Sequence, residues 1–191
     1  MGARRDVAVL VGSLRKGSLS RMVAHTLAAL APERLRLEIV EIRDLPLYDQ
    51  DFEVSPLPAP WTALRERVRR ADAVLFVMPE YNRSVPGALK NAIDVGSRPP
   101  GQSAWSGKPG AVVSLSTGNM GGFGANHHLR QSLVFLDVPT MQQPEVYIGG
   151  AAKLFDAEGK LVNDGTRDLL RKFIDAFDRW VEKHVPSSIR A

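Results

Sequence analysis

The 191-residue sequence contains no cysteine. Disulfides, thiolate nucleophiles and cysteine-ligated zinc or iron–sulfur centres are therefore excluded. If the protein takes part in redox chemistry, a bound organic cofactor has to carry the electrons.

Long apolar runs are also missing. The run at residues 7–11 is too short for a signal peptide and directly follows Asp6. Nothing approaches the roughly 18 continuous apolar residues that indicate a membrane span. We therefore expect a cytoplasmic protein with no membrane partner.

A strong excess of one charge is lacking too, since 25 Lys and Arg face 21 Asp and Glu for a net charge of +4. The basic residues are interleaved with acidic ones. Even the basic cluster at residues 65–70 spreads around a helix, because successive residues turn by about 100°. We expect no nucleic-acid partner, and anionic nucleotides account for the basic balance.

The chain alternates strand-like and helix-like segments. Predicted strands cover residues 7–11, 37–42, 73–78, 111–115 and 145–148. Predicted helices cover residues 18–31, 61–70, 86–96, 125–136 and 166–184. This order predicts one α/β domain over residues 1–191, a doubly wound five-stranded parallel sheet with helices on both faces. The ends, residues 1–5 and 186–191, are expected to be flexible.

The loops after the first, third and fourth strands are the candidate site, because open parallel sheets bind ligands at the carboxyl ends of their strands. The first loop, residues 12–20, offers three hydroxyls, two cations and two glycines before a helix, as a phosphate cradle does. Arg15 adds a charge-assisted clamp. The loop lacks the Lys of a Walker motif and the second glycine of a dinucleotide fingerprint. A plain strand-to-helix turn with a serine N-cap stays open as an alternative.

The other two loops suit a flat ring. Residues 79–87 begin and nearly end with a proline, and backbone amides between them can bind the edge of a heteroaromatic ring while Tyr81 supplies an apolar face. Residues 116–124 contain four glycines, which allow close approach to a ligand, and Ser116 can reach the same ring. The alternatives are a loop shaped only for packing and a merely mobile loop.

Three motifs resemble the NAD(P)H-dependent FMN reductase family, most closely its quinone and chromate reductase members. They are GSLRKGSLS at 12–20, PEYNRSVPGALKNAID at 79–94, and LSTGNMGG at 115–122 followed by HHLRQ at 127–131. The resemblance extends from residue 7 to about residue 148. The first two motifs together are specific to the family.

The resemblance implies a flavodoxin-like fold with strand order 2-1-3-4-5 and tightly held, non-covalent FMN. It further implies NADPH or NADH as electron donor, and a homodimer or homotetramer with the flavin near the subunit interface. By motif, the residues implied to hold the FMN phosphate are Ser13, Arg15, Ser18 and Ser20, and Leu19 is a further implied cofactor-binding residue of this loop. The residues implied to line the isoalloxazine ring, largely through backbone amides, are Pro79, Glu80, Tyr81 and Asn82. Ser116, Thr117 and Gly118 would complete the pocket.

The sequence departs from the family pattern at two places. Leu19 and Ser20 replace a more usual aromatic–Asn pair, and Arg83 stands where relatives often have an aromatic residue. Arg83 therefore puts the acceptor preference and the interface contacts in question. It can attract an anionic acceptor or the phosphate of the cofactor.

The implied reaction passes a hydride from NAD(P)H through FMN to quinone-like, azo or chromate-type acceptors by a ping-pong mechanism. No catalytic side chain is nominated, because the reaction requires no protein acid or base. No metal site is nominated either, because the adjacent His127 and His128 point about 100° apart on a helix. Trp61, Trp105 and Trp180 are interpreted as packing and interface residues. Two alternatives remain: a non-enzymatic electron carrier of the flavodoxin type, and a phosphate-binding module without redox function.

Overall fold

A computed structural model describes residues 4–54 and 56–185. Five parallel strands form one sheet in the order β2-β1-β3-β4-β5. The strands are β1 (Arg5–Val11), β2 (Leu35–Val40), β3 (Ala73–Pro79), β4 (Gly110–Leu115) and β5 (Val146–Ile148). The predicted flavodoxin-like fold and its strand order are confirmed.

The helices that connect the strands are α1 (Leu19–Leu30), α2 (Ala59–Arg70), α3 (Gly87–Gly96), α4 (Phe123–Phe135) and α5 (Asp164–His184). All five predicted helices are present with ends within two residues of their predicted bounds. Two short 3₁₀ helices, Gln50–Glu53 and Ala151–Lys153, were not predicted.

The predicted bounds of the second strand, residues 37–42, lie two residues too late along the chain. Leu35 already pairs with Arg5 of β1, and pairing ends at Val40. Ile42 is buried although it lies beyond the strand. Its apolar side chain reflects packing under the following loop, which is why alternation alone misplaced the strand end.

The core lies on both faces of the sheet, because successive side chains of a strand point to opposite sides. In β3, Leu75 joins the core beneath α1 and α5, whereas Phe76 joins the core beneath α2, α3 and α4. The predicted double burial of this apolar run is confirmed. It fixes β3 in the middle of the sheet, so the loop after β3 emerges at the centre of the carboxyl edge.

The predicted packing role of the tryptophans is confirmed for two of them. Trp61 and Trp105 are fully buried, and their indole nitrogens donate to the carbonyls of Pro46 at 3.0 Å and Ile93 at 2.9 Å. Trp180 is half-buried and donates to the carbonyl of Pro139 at 2.8 Å. Any interface role of these residues stays a prediction.

The ends that were expected to be flexible fall mostly outside the described residues. Arg5 is the main exception, because it begins β1, is buried, and donates from Nε to Glu182 of α5 at 2.7 Å. That the whole chain from residue 1 to 191 is a single domain stays a prediction.

Candidate cofactor site

The loops after β1, β3 and β4 meet around one cavity of ≈ 270 Å³. This volume is close to the lower end of the range for ligand pockets, about 300–1,000 Å³. The walls come from all three loops: Ser13, Arg15, Leu19, Ser20, Pro79, Glu80, Tyr81, Leu115, Ser116 and Thr117. Nine of these ten are predicted site residues, and Leu115 was missed because it is the last residue of β4.

Three predicted site residues do not line the cavity: Ser18, Asn82 and Gly118. Ser18 caps α1, where its hydroxyl oxygen accepts from the N–H of Arg21 at 3.2 Å. Asn82 lies in a tight turn with a φ of 51°. The carbonyl of Gly118 accepts from the hydroxyl of Ser116 at 2.9 Å. Each residue shapes a loop, and direct contact with a cofactor stays a prediction for all three.

The first loop delivers the N-terminus of α1 to the cavity. The first backbone N–H groups of a helix, here those of Leu19 and Ser20, have no acceptor within the helix. These N–H groups form the positive end of the helix dipole, which favours an anion. The buried hydroxyls of Ser13 and Ser20 line the same cavity. Together these donors fit a phosphate group. The serine N-cap that was considered as an alternative is also present, at Ser18, and it is compatible with phosphate binding.

Arg15 and Gly12 of this loop have distinct roles. Arg15 is exposed at the cavity wall and donates from Nη2 to the carbonyl of Gly17 at 2.7 Å, which leaves its other N–H donors for an anion. A Cβ on Gly12 would lie 2.7 Å from the Cβ of Met78. Gly12 thus allows β1 to approach β3, whereas the sequence analysis counted it in the phosphate cradle.

The second loop opens with a two-residue hairpin turn. Tyr81 and Ser84 exchange backbone hydrogen bonds of 3.2 and 3.0 Å. The central residues Asn82 and Arg83 have φ values of 51° and 65°, the pattern of a type I′ turn. The N–H of Tyr81 is therefore taken by Ser84, and the expectation that the amides of this loop are free for a ring is wrong for Tyr81.

The side chain of Glu80 has a role that the sequence analysis missed. Its Oε2 accepts from the backbone N–H of Ala125 at 2.9 Å, within the first turn of α4. The N-cap residue of α4 is Gly122, which has no side chain to accept this bond. Glu80 therefore replaces the missing cap and joins the second loop to α4. A helix preceded by glycine, with no Ser, Thr, Asp or Asn at its start, was the available signal.

The third loop is packed rather than mobile. Gly121 and Gly122 have φ values of 60° and 77°, which glycine adopts without strain. A Cβ on Gly121 would lie 2.5 Å from the carbonyl carbon of Tyr147 on β5. The fully buried Ser114 donates to the carbonyl of Gly121 at 2.9 Å and accepts from Asn126 at 3.2 Å. The alternative of a merely mobile loop is thereby contradicted.

An aromatic cluster fastens this loop region to the edge of the sheet. The ring of Phe123 lies 4.3 Å from that of His127 and 5.3 Å from that of Tyr147, centroid to centroid. Nε2 of His127 and the hydroxyl of Tyr147 hydrogen-bond at 3.0 Å. Burial, followed by the nearby carboxylate of Glu145, raises the pKa of Tyr147 to about 12. The cluster joins α4 to β5, and the sequence offered no local signal for it.

The two adjacent histidines contact different partners, since Nδ1 of His128 hydrogen-bonds to the hydroxyl of Ser84 at 2.9 Å. Within residues 4–54 and 56–185, no group of three or more His, Asp or Glu side chains is arranged to hold a metal ion.

The donor set of the cavity fits FMN. The hydroxyls of Ser13 and Ser20 and the N-terminus of α1 can donate to a phosphate, and the loops after β3 and β4 supply the remaining wall. Leu19, Pro79 and Leu115 supply apolar wall, and Tyr81 supplies an aromatic one. A phosphate needs polar donors and a flat ring needs apolar or aromatic wall, and this cavity offers both.

Comparison with known proteins gives a consistent result. Residues 5–153 match the model of the family described as NADPH-dependent FMN reductase. A quinone reductase of Pseudomonas putida is 67% identical over 177 residues, which cover 93% of this chain and 95% of that protein. A 2-hydroxy-1,4-benzoquinone reductase of a Burkholderia species is 46% identical over 175 residues, covering 92% and 95%.

A solved structure is also similar along nearly the whole chain. FerB, a flavoenzyme NAD(P)H:(acceptor) oxidoreductase from Paracoccus denitrificans, superposes with a TM-score of 0.88 at 42% identity. The match covers 94% of this chain and 98% of FerB.

Proposed function

The chain belongs to the NADPH-dependent FMN reductase family, and from this membership we propose that it is a quinone reductase whose FMN lies in the cavity described above. The observation that carries the proposal is that a helix N-terminus with serine hydroxyls and an apolar, aromatic wall with Tyr81 line one cavity. A pure electron carrier and a non-redox phosphate-binding module are disfavoured, because the family and the named relatives are reductases.

We assign the phosphate to the first loop and the ring to the other two. The hydroxyls of Ser13 and Ser20 and the free N–H groups at the start of α1 donate hydrogen bonds to the phosphate, and Arg15 supplies a compensating positive charge. When bound, FMN supplies the redox chemistry, accepting a hydride from NAD(P)H and reducing a second molecule. The balanced overall reaction is NAD(P)H, a proton and a quinone giving NAD(P)⁺ and a hydroquinone.

The chain itself binds and orients. The carboxylate of Glu80 lines the cavity but already accepts from Ala125, so we nominate no acid or base among the side chains. Tyr81 is 52% exposed beside the cavity and offers its ring to a planar donor or acceptor. Donor and acceptor would use this same open side in turn, which supports ping-pong kinetics.

Quinones are the first acceptor class to test. Hydroxylated quinones join it because one relative is named for such a substrate, and azo compounds and chromate follow as the finer candidates. The test is anaerobic NADPH and NADH oxidation by the FMN-loaded protein with 2-methyl-1,4-naphthoquinone, an azo dye or chromate. Acceptor-dependent oxidation with parallel double-reciprocal lines is expected. A loaded protein that oxidises neither donor in the presence of any acceptor would refute the proposal.

A homodimer or homotetramer is part of the proposal. Val134 and Phe135 of α4 are 77% and 85% exposed, which is unusual for large apolar side chains. Phe135 also borders a groove of ≈ 390 Å³ between α3 and α4. We expect light scattering to give a dimer or tetramer, and Phe135→Glu to shift it toward the monomer. A monomeric wild-type protein would contradict this assembly.

A cytoplasmic location also belongs to the proposal, since NAD(P)H is an intracellular donor. In the described part of the chain, no helix is both long enough and apolar enough to cross a membrane.

A further inference from the structure

We propose that Arg83 is a specificity-determining residue that favours negatively charged planar acceptors, above all ionised hydroxyquinones, a role that rests on the proposed quinone reductase activity. Arg83 sits at the tip of the hairpin after β3, two residues beyond Tyr81 of the cavity wall and one residue beyond the predicted ring contacts.

The backbone of Arg83 is the first reason. At a φ of 65° it occupies the second central position of a type I′ turn, where glycine is strongly preferred because it has no Cβ. An arginine there disfavours the fold locally. Strained positions of this kind cluster at functional sites, where the surrounding structure holds them in place. A role for the side chain would account for an arginine at this position.

The hairpin is held at both of its sides, so the strain cannot relax by movement of the loop. On one side Glu80 accepts from the N–H of Ala125 at 2.9 Å, and on the other Ser84 bonds to His128 at 2.9 Å. Both partners belong to α4. The tip that carries Arg83 thus has a fixed position relative to the cavity.

The guanidinium of Arg83 is available to a ligand. Its side chain is 76% exposed, and Nη1 lies 3.7 Å from Oε1 of Glu80, a residue of the cavity wall. That distance is too long for a hydrogen bond, so the pair leaves the guanidinium donors free. The contact still keeps the positive charge next to a residue of the cavity wall.

Ionised hydroxyquinones fit this arrangement chemically. A 2-hydroxyquinone is a vinylogous carboxylic acid, ionised near neutral pH, with its charge shared between two oxygens as in a carboxylate. In a 2-hydroxy-1,4-quinone these two oxygens are on C2 and C4, so the planar guanidinium would donate to the charged oxygen on C2 and to the neighbouring carbonyl on C1. The exposed ring of Tyr81, two residues earlier in the hairpin, offers a face to the quinone ring.

The test compares two quinones of similar shape, 2-hydroxy-1,4-naphthoquinone and the neutral 2-methyl-1,4-naphthoquinone. Calorimetry gives the Kd of each for the oxidised, FMN-loaded protein, and steady-state assays give kcat/KM. Arg83→Gln removes the charge, and Arg70→Gln, an exposed residue at the far end of α2, is the control with the same net charge. For each quinone, the value measured for the variant is divided by the value for wild type, so the different reduction potentials of the two quinones cancel.

We expect Arg83→Gln to weaken binding of the hydroxyquinone about fivefold, the upper range for an exposed ion pair, and to leave the methylquinone unchanged. The preference should also fall at 1 M salt, where the screening length is about 3 Å. Arg83→Gly should lose the same preference while raising the Tm, because glycine suits the backbone at this position.

Equal changes for both quinones, or the same change in Arg70→Gln, would overturn the proposal. A third result would also overturn it: Arg83→Gln loses the preference for NADPH over NADH but keeps the preference for the hydroxyquinone over the methylquinone. That result would assign Arg83 to the 2′-phosphate of the donor instead. Failure of the proposed function is distinct from these outcomes, because the wild-type protein would then reduce neither quinone with NAD(P)H. The two Kd values would still report on Arg83 in that case.

Discussion

Replacing Gly121 by alanine tests whether the third loop is seated on β5. The substitution meets two costs in the structure. A φ of 60° is left-handed, which costs an L-residue about 1–2 kcal/mol. The new Cβ would also lie 2.5 Å from a backbone atom of Tyr147, and overpacking of this kind costs about 1–3 kcal/mol. We therefore expect a loss of about 2–5 kcal/mol in the free energy of unfolding.

Gly101→Ala separates the two costs. Gly101 has a φ of 79° but nothing within 4 Å of its added Cβ, so only the backbone strain applies. For a chain of this size, each kcal/mol lowers the Tm by about 2–4 °C. Thermal unfolding followed by circular dichroism should therefore give a clearly larger decrease for Gly121→Ala. Both variants are measured at one saturating FMN concentration, because bound ligand raises the Tm by mass action.

A decrease for Gly121→Ala no larger than that for Gly101→Ala would refute the close contact between the third loop and β5. We also expect weaker FMN binding in Gly121→Ala alone, because moving the loop displaces Ser116 and Thr117 from the cavity wall.

Three further substitutions test other parts of the site. Arg15→Ala should weaken FMN binding by about 1.5 kcal/mol, near tenfold and at the low end for a charged hydrogen bond, because Arg15 is exposed; an unchanged Kd in fluorescence titration would place the phosphate elsewhere. Glu80→Ala should lower the free energy of unfolding by about 1–2 kcal/mol, as loss of a helix cap does, while Glu80→Gln keeps an acceptor oxygen and should cost less. Equal losses in chemical denaturation would argue against capping. For Tyr147, the folded pKa of about 12 lies above the ordinary tyrosine pKa of about 10, so its contribution to stability is complete below pH 10 and is lost as the pH rises toward 12. The Tm of wild type should fall relative to that of Tyr147→Phe over this interval, and parallel curves would contradict the raised pKa.

The sequence predicted most of the framework because the governing signals are local. The apolar run in β3 and the proline and glycine that bracket α3 are each readable within a few residues. The strand order and the FMN ligands, by contrast, came from the resemblance of three motifs to a family. Periodicity predicts a parallel sheet, but it does not say which strands are neighbours.

The missed features join residues that are distant in sequence. The bond from Ala125 to Glu80 spans 45 positions, and the contact of His127 with Tyr147 spans 20. The hairpin at Asn82 and Arg83 was missed for another reason: type I′ turns are recognised by glycine, and this one has none. The expectation that the backbone amide of Tyr81 is free was wrong for the same reason, because that amide takes part in the turn.

The most direct test of the central claim is the visible absorbance of the purified protein, recorded before and after NADPH is added without oxygen. We predict the two absorption bands of oxidised flavin, and their loss on addition of NADPH. Protein without these bands, even after incubation with FMN, would contradict FMN binding in the cavity, and bands that persist with both NADPH and NADH would contradict the reductase function.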